Sequence, residues 1–285
     1  MPSYRFCRPD DIPYLVRAVN ECYDVHFPDE PPLTLERFRA EMKAIDLWPS
    51  NCMVASSDAG PIAVLIGTKR ADEVSVLRIG LRPGHERQGH GAHILTSLSQ
   101  KLSVLGPERL VVEIPRALPG AEPFFAACDY TPEAVYTDYL RAPAPVDPVP
   151  AELVMPTTVD ELDDHGLLDI GSDVAWERRR ETLLGRKEDD LEGFCIASPE
   201  RVEACLLYRE SDDGKDIDIP ALIARESPQR ELFLGLLLRH LAGRCERPLR
   251  LPKLVEGEVP ATVLTPLRFK AGAQYLRLAS TATPV

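Results

Sequence analysis

No stretch of about 18 apolar residues, the length a helix needs to cross a bilayer, occurs in the sequence. Its first eleven residues, Met1 to Asp11, are polar and carry no apolar leader core. A cytoplasmic protein without a membrane partner is therefore expected. Positive charge is in the minority: 33 Lys and Arg stand against 45 Asp and Glu, a net −12. Neutralising a nucleic-acid backbone takes clustered cations, so no nucleic-acid partner is expected. Cys-x-x-Cys spacing is missing as well. The seven cysteines, Cys7, Cys22, Cys52, Cys128, Cys195, Cys205 and Cys245, form an odd set better read as reduced, buried thiols than as a disulfide framework. His85, His90 and His93 cluster without carboxylate or cysteine company, and no metal is expected.

What is present is the composition of a globular protein, 44% apolar and 27% charged over 285 residues, a length that suggests two domains. Proline is plentiful and concentrates between Ala142 and Pro150, a semi-rigid stretch that cannot join a central strand. The expected organisation is a first domain over 1–142, a linker over 143–150, a second domain over 151–280 and a tail over 281–285.

The first half reads as a short strand near Tyr4 to Cys7, then a helix carrying Ile12, Leu15, Val16, Val19 and Cys22 on one face. A Pro- and Asp-rich loop, Tyr23 to Pro32, leads to a helix starting at Thr34. Strand character follows at Cys52–Ser56, Ile62–Thr68 and Val74–Leu81, then a helix, a strand at Arg109–Ile114, a short helical patch at Glu122–Ala127 and a strand at Ala134–Leu140. The order predicts an α/β (α+β) protein in which helices cover a mixed, largely antiparallel sheet. The second half repeats the order at an offset of about 142 residues, with Phe194–Ser198, Val202–Tyr208 and Ile217–Ile223 in the strand positions, which predicts a tandem duplication. Thr158 and Glu161 have capping-box spacing at the start of its first helix.

One segment carries chemistry. The strand ending in Leu81-Arg82-Pro83 crosses a short loop and enters a helix through Arg87-Gln88-Gly89-His90-Gly91-Ala92. A helix N-terminus offers unpaired N–H groups and a partial positive charge, and the two glycines let an anion approach the backbone. Ile94, Leu95, Leu98, Leu102 and Leu105 would seat this helix on the sheet. A dinucleotide fingerprint would need Gly or Ala where Ile94 stands, and the Gly-Lys-Ser/Thr of a Walker loop is missing.

The Leu-Arg-Pro strand end, the Gly89-x-Gly91 loop and the amphipathic helix together resemble the acetyl-CoA loop of the GNAT acyltransferase superfamily, with Glu86 standing where that family prefers Gln or Arg. The resemblance implies one acetyl-CoA per chain. It implies that the strand splays from its neighbour so that Ile79, Gly80 and Leu81 bind the acetyl and pantetheine groups, while Arg87, Gln88, Gly89, His90, Gly91 and Ala92 wrap the pyrophosphate. It further implies N-acetylation of a small-molecule or peptide amine by direct attack in a ternary complex. The second half has Ala224-Arg225-Glu226-Ser227-Pro228-Gln229-Arg230 at the loop position and reads as a degenerate copy.

For the base, Glu113 sits mid-strand where many family members carry a carboxylate; an exposed strand glutamate would look the same. The family's Asn and Tyr positions are Leu118 and Phe125 here, neither a proton donor. Tyr130, Tyr136 or Cys128 could stand in as the acid, Tyr130 being the choice, or the thiolate could leave unprotonated. Tyr23, Asp24, His26, Asp29 and Glu30, between the first two helices, mix aromatic and acidic groups suited to a cationic amine. The alternative to an enzyme is an acyl-CoA-binding pseudoenzyme or sensor without turnover; a structural two-domain protein with no cofactor is a third reading.

Overall fold

The computed structural model describes residues 2–27, 31–186 and 191–282. Two compact units emerge, and neither is one continuous stretch of chain. The first comprises Met1–Ile114, Leu118–Glu133 and Leu276–Val285; the second comprises Pro115–Ala117 and Ala134–Tyr275.

The first unit contains β1 (Ser3–Phe6), α1 (Ile12–Cys22), α2 (Leu35–Ala44), β2 (Met53–Ser57), β3 (Gly60–Lys69), β4 (Glu73–Leu81), α3 (His90–Leu105), β5 (Arg109–Pro115) and α4 (Ala121–Ala126). Strands β1 to β4 pair in antiparallel succession, and β5 joins β4 in parallel. Alternation along the strands explains why they look uniformly apolar in sequence. Met53, Ala55, Ala63 and Leu65 pack with α3 through Ile94, Leu95, Leu98 and Leu102. Val54, Val64 and Ile66 point the other way, into Leu15, Val19, Cys22 and Phe38 of α1 and α2. With both faces covered, Met53–Ala55 of β2 and Pro61–Thr68 of β3 are buried in unbroken succession. Thr34 caps α2, its hydroxyl accepting the Arg37 N–H at 3.1 Å.

Next comes β6 (Thr131–Arg141), which opens in the first unit and finishes in the second. The second unit continues with β7 (Met155–Thr157), α5 (Val159–Asp164), α6 (Arg180–Gly185), β8 (Glu192–Ala197), β9 (Val202–Glu210), β10 (Ile217–Ala224), α7 (Arg230–Ala242), β11 (Leu249–Val255) and α8 (Ala261–Leu264). Strands β7 to β10 are antiparallel neighbours, β11 joins β10 in parallel, and the later residues of β6 pair antiparallel with β11. The capping box at Thr158 and Glu161 forms, starting α5.

The last strand, β12 (Lys270–Thr281), divides in the opposite sense to β6. Leu276, Leu278 and Ala282 belong to the α3-facing core of the first unit. Arg277 enters the same unit as a buried ion, its guanidinium 2.9 Å from Glu73. The unit boundaries therefore fall inside two strands, at Glu133/Ala134 and Tyr275/Leu276, because ladder pairing and core packing hold these residues, whatever the linker composition at 143–150.

Candidate cofactor and acceptor site

A bulge sets up the site. The β3–β4 register passes from Gly67↔Val76 to Ile66↔Arg78, leaving Leu77 as an extra residue in β4. Bulges bend a strand and increase its twist. On the other side of β4 the ladder runs from Glu73↔Arg109 only to Val76↔Val112. Past the bulge, Leu77–Leu81 has no ladder partner on its β5 side among the described residues. The two parallel strands fork, and the fork opens toward the glycine loop.

Gly80 lies where the end of α1 presses on the strand. A Cβ there would sit 2.2 Å from the Cys22 carbonyl oxygen and 2.8 Å from the Tyr23 Cα. Only glycine permits this approach, and it delivers the segment after α1 onto the fork. His26 Nε2 donates to the Leu81 carbonyl at 2.9 Å. Tyr23, Asp24 and His26 are thereby brought beside Gly80 and Leu81. Tyr23 and Phe27 rings lie 5.0 Å apart, and the Arg78 guanidinium sits 5.9 Å from the Tyr23 centroid while bonding Glu41 at 2.7 Å. Burial raises the Asp24 pKa against the pull of Arg78. Arg78, Glu41 and Phe27 were not picked out from sequence, although a lone arginine in the apolar run Val74–Leu81 was a signal available there. Asp29 and Glu30 lie outside the described residues.

The loop after β4 is built from left-handed residues: Gly84 at φ +87°, Arg87 at +57° and Gly89 at +84°. Glu86 turns its carboxylate onto the Gly84 N–H at 2.8 Å, and bonds from its own amide and that of Gly84 lower its pKa. Gln88 spans the turn, donating from Nε2 to the Gly84 carbonyl at 3.0 Å. The backbone N–H groups of Arg87, Gln88, Gly89, His90, Gly91 and Ala92 have no protein acceptor among the described residues. A Cβ on Gly89 would project into open space, whereas one on Gly91 would meet the Phe124 ring at 3.1 Å. Gly89 is thus glycine for its φ, and Gly91 for close packing of α3 on α4. His90 is buried, its Nδ1 2.6 Å from the Tyr4 hydroxyl, which fixes the first turn of α3 to β1. Converging amides at a helix N-terminus, reached without side-chain obstruction, fit a pyrophosphate.

Glu113 is half-buried on β5, the next residue after the last paired position, Val112. Leu118 is exposed, and Phe125 is buried in the core under α4. Tyr130 is also in that core, 5.2 Å edge-on to Phe125, its hydroxyl without a hydrogen-bond partner among the described residues and its pKa pushed up by burial. Burial raises the Cys128 pKa too. Tyr136 belongs to the second unit, where its hydroxyl donates to the Asp173 carbonyl at 3.1 Å.

The second unit has the same fork, filled by its own chain. Pairing between β10 and β11 covers only Ile217↔Leu249 and Asp218↔Arg250. Beyond it Arg178, fully buried, donates to the Pro220 carbonyl of β10 at 3.1 Å and to the Lys253 carbonyl of β11 at 3.2 Å, and pairs with Glu258. A guanidinium has five donors in a plane, so one side chain can bridge both strands and keep a counter-ion. The loop that follows is tied down as well, Arg225 reaching the Val202 carbonyl at 2.9 Å and Arg230 pairing with Glu226 at 3.4 Å. This is the physical form of the degenerate second copy. No grouping of metal-ligating side chains occurs among the described residues, and no helix of theirs is long and apolar enough to cross a membrane.

No known family profile and no curated protein sequence matches the chain. Solved structures do match, over its whole length. A GCN5-related N-acetyltransferase from Sphaerobacter thermophilus superposes with a TM-score of 0.70 at 16% identity, covering 99% of this chain and 96% of that one. A tandem GNAT protein from the clavulanic acid biosynthesis pathway gives 0.69 at 14% identity, with 100% of both chains covered. A GCN5-related N-acetyltransferase from Anabaena variabilis gives 0.66 at 12% identity over 99% and 73%. The fold is that of the tandem GCN5-related N-acetyltransferases.

Proposed function

We propose that the first unit binds one acetyl-CoA per chain and transfers its acetyl group to the amine of a small molecule or peptide. The observation that carries this reading is the fork of β4 and β5, its free β4 edge running straight into a loop whose amides from Arg87 to Ala92 converge without a protein acceptor. Ile79, Gly80 and Leu81 would hold the acetyl and pantetheine groups, and the loop would hold the pyrophosphate. Bound there, acetyl-CoA supplies an activated acyl carbonyl.

The amine must lose a proton as it attacks. Glu113, placed at the mouth of the fork, is the group proposed to take it through solvent. Tyr23, Asp24 and His26 would orient the acceptor, with the carboxylate of Asp24 favouring a cationic amine that is neutralised on approach. The buried Tyr130 hydroxyl stays protonated at neutral pH and is the proposed donor to the departing thiolate; without it a thiol of ordinary pKa near 8.5 departs as the anion at modest cost.

A second reading has a specific observation behind it: Phe125 and Leu118 put hydrocarbon where the resembled family carries Tyr and Asn, which suits a binding protein without turnover. One experiment separates the two. Calorimetry with CoA and acetyl-CoA, run beside a mass-spectrometric amine panel, should show saturable binding together with acetylated product. Binding without product on any amine would favour the sensor, and no heat with either ligand would sink both. Gly91→Glu should abolish binding; its Cβ has to displace the Phe124 ring, so a retained circular dichroism spectrum is the control that the change stays local.

A further inference from the structure

At the far end of α3 from the glycine loop lies a pocket of about 560 Å3 whose lining includes Lys69, Arg70, Lys101, Trp48, Asp46 and Leu105. Helix α3 spans 16 residues, which separates pocket and loop by about 24 Å. The lining is basic in a chain of net charge −12. Lys101 donates to the Ser50 carbonyl and stands 4.3 Å over the Phe6 ring; Lys69 donates to the Leu105 carbonyl at 3.1 Å. Neither ammonium has a carboxylate partner among the described residues. Burial lowers the pKa of Lys101, and Lys69 presses it further. Two partly buried cations with no direct ion pair, in a lining where three cations outnumber the one carboxylate, form a standing attraction for an anion.

The pocket also offers a flat surface. Trp48 is 61% exposed, yet its indole is pinned, Nε1 donating to Asp46 Oδ1 at 3.0 Å from a residue held at φ +51°. That bond uses one oxygen of the single carboxylate named above, whose charge is outnumbered by Lys69, Arg70 and Lys101, and it leaves the indole largely exposed. Leu105 beside it is 66% exposed. Large apolar side chains so exposed next to unpaired cations suit a ligand with a ring and a negative group, since the ring stacks while the charge is neutralised.

We propose that this pocket binds a small anion carrying a flat ring, an aromatic phosphate or carboxylate, at a site independent of the glycine loop. The test titrates the full-length protein by calorimetry with phenyl phosphate, benzoate, inorganic phosphate and phenol. The expected result is saturable binding of phenyl phosphate or benzoate, at least about tenfold tighter than inorganic phosphate or phenol; which of the two binds better identifies the head group. Lys69→Gln combined with Lys101→Gln should weaken it at least about tenfold, Trp48→Ala should reduce it to the level of the ringless or uncharged probes, and Gly91→Glu should leave it intact. No saturable heat with either ring-bearing anion up to about 10 mM, binding that survives the lysine replacements, equal binding of inorganic phosphate, or loss in Gly91→Glu would each overturn the proposal.

Discussion

Arg277→Met tests whether the later residues of β12 hold the first unit together. The guanidinium contacts both oxygens of Glu73, at 2.9 and 3.2 Å, and Glu73 is 1% exposed, so the pair is shielded from water on all sides. Removing one member of a buried pair costs about 3–5 kcal/mol, chiefly because the survivor keeps its desolvation penalty. Here the survivor retains Arg109, whose Nε lies 3.1 Å from Glu73 but whose side chain is 44% exposed and shared with Glu133. That residual partner should reduce the loss to about 2–3 kcal/mol, a shift in the urea midpoint of about 1 M for an m-value of 2–3 kcal/mol/M. Unfolding of the wild type, Arg277→Met, Glu73→Gln and the double variant, followed by far-UV circular dichroism, forms a closed cycle. The expected coupling is at least about 2 kcal/mol, because the double variant removes both charges together. A coupling below about 0.5 kcal/mol would show that the contact contributes nothing specific and refute the argument.

Gly80→Ala forces a Cβ to within 2.2 Å of the Cys22 carbonyl, so the end of α1 must retreat; a loss of about 1–3 kcal/mol is expected, and an unchanged melting temperature would contradict the close approach. Arg178→Ala removes the bridge across the second fork and leaves Glu258 with the Val255 amide but without its cation, with an expected loss of about 3–5 kcal/mol. Emission of the neighbouring buried Trp176 reports it, and an unaltered urea midpoint counts against the bridge. The bond from Arg5, with that from the Arg8 amide, holds the Asp11 carboxyl down at about 2, against about 3.9 in an unfolded chain. A depressed folded pKa gives stability that is present above the unfolded value and lost as pH falls toward the folded one. The melting-temperature gap between wild type and Asp11→Asn should therefore be full at pH 5 and narrow as pH falls below about 4; a gap constant across that range would exclude this ion pair as its source.

Much of this was readable in sequence because it is local. The period of Ile94, Leu95, Leu98 and Leu102 places α3, Thr34 caps α2, and Gly89 and Gly91 mark the loop, each through neighbours a few residues away. What escaped is non-local. Alternation in β6 and β12 tells which face each residue presents but says nothing of which strand it pairs with, so the division of both strands between units could not be read. The bulge at Leu77 leaves no mark in an apolar run. Arg178, in Trp176-Glu177-Arg178-Arg179-Arg180, looks like one of several solvated arginines, while the fold buries it completely between two carbonyls contributed by residues 42 and 75 positions away.

The placement of Leu276, Arg277 and Leu278 in the first unit has a consequence for how the protein is made. Synthesis proceeds at about 5–20 residues per second, so the segment ending at Glu133 emerges roughly 7–30 s before the strand that completes its sheet. Until then the glycine loop belongs to a body missing a core strand and the buried partner of Glu73. A chain stopped just before Leu276 holds nearly all of both copies by length, and the unit that carries the glycine loop is the unfinished one. Competence for the proposed ligand thus becomes a check that synthesis has passed Leu278.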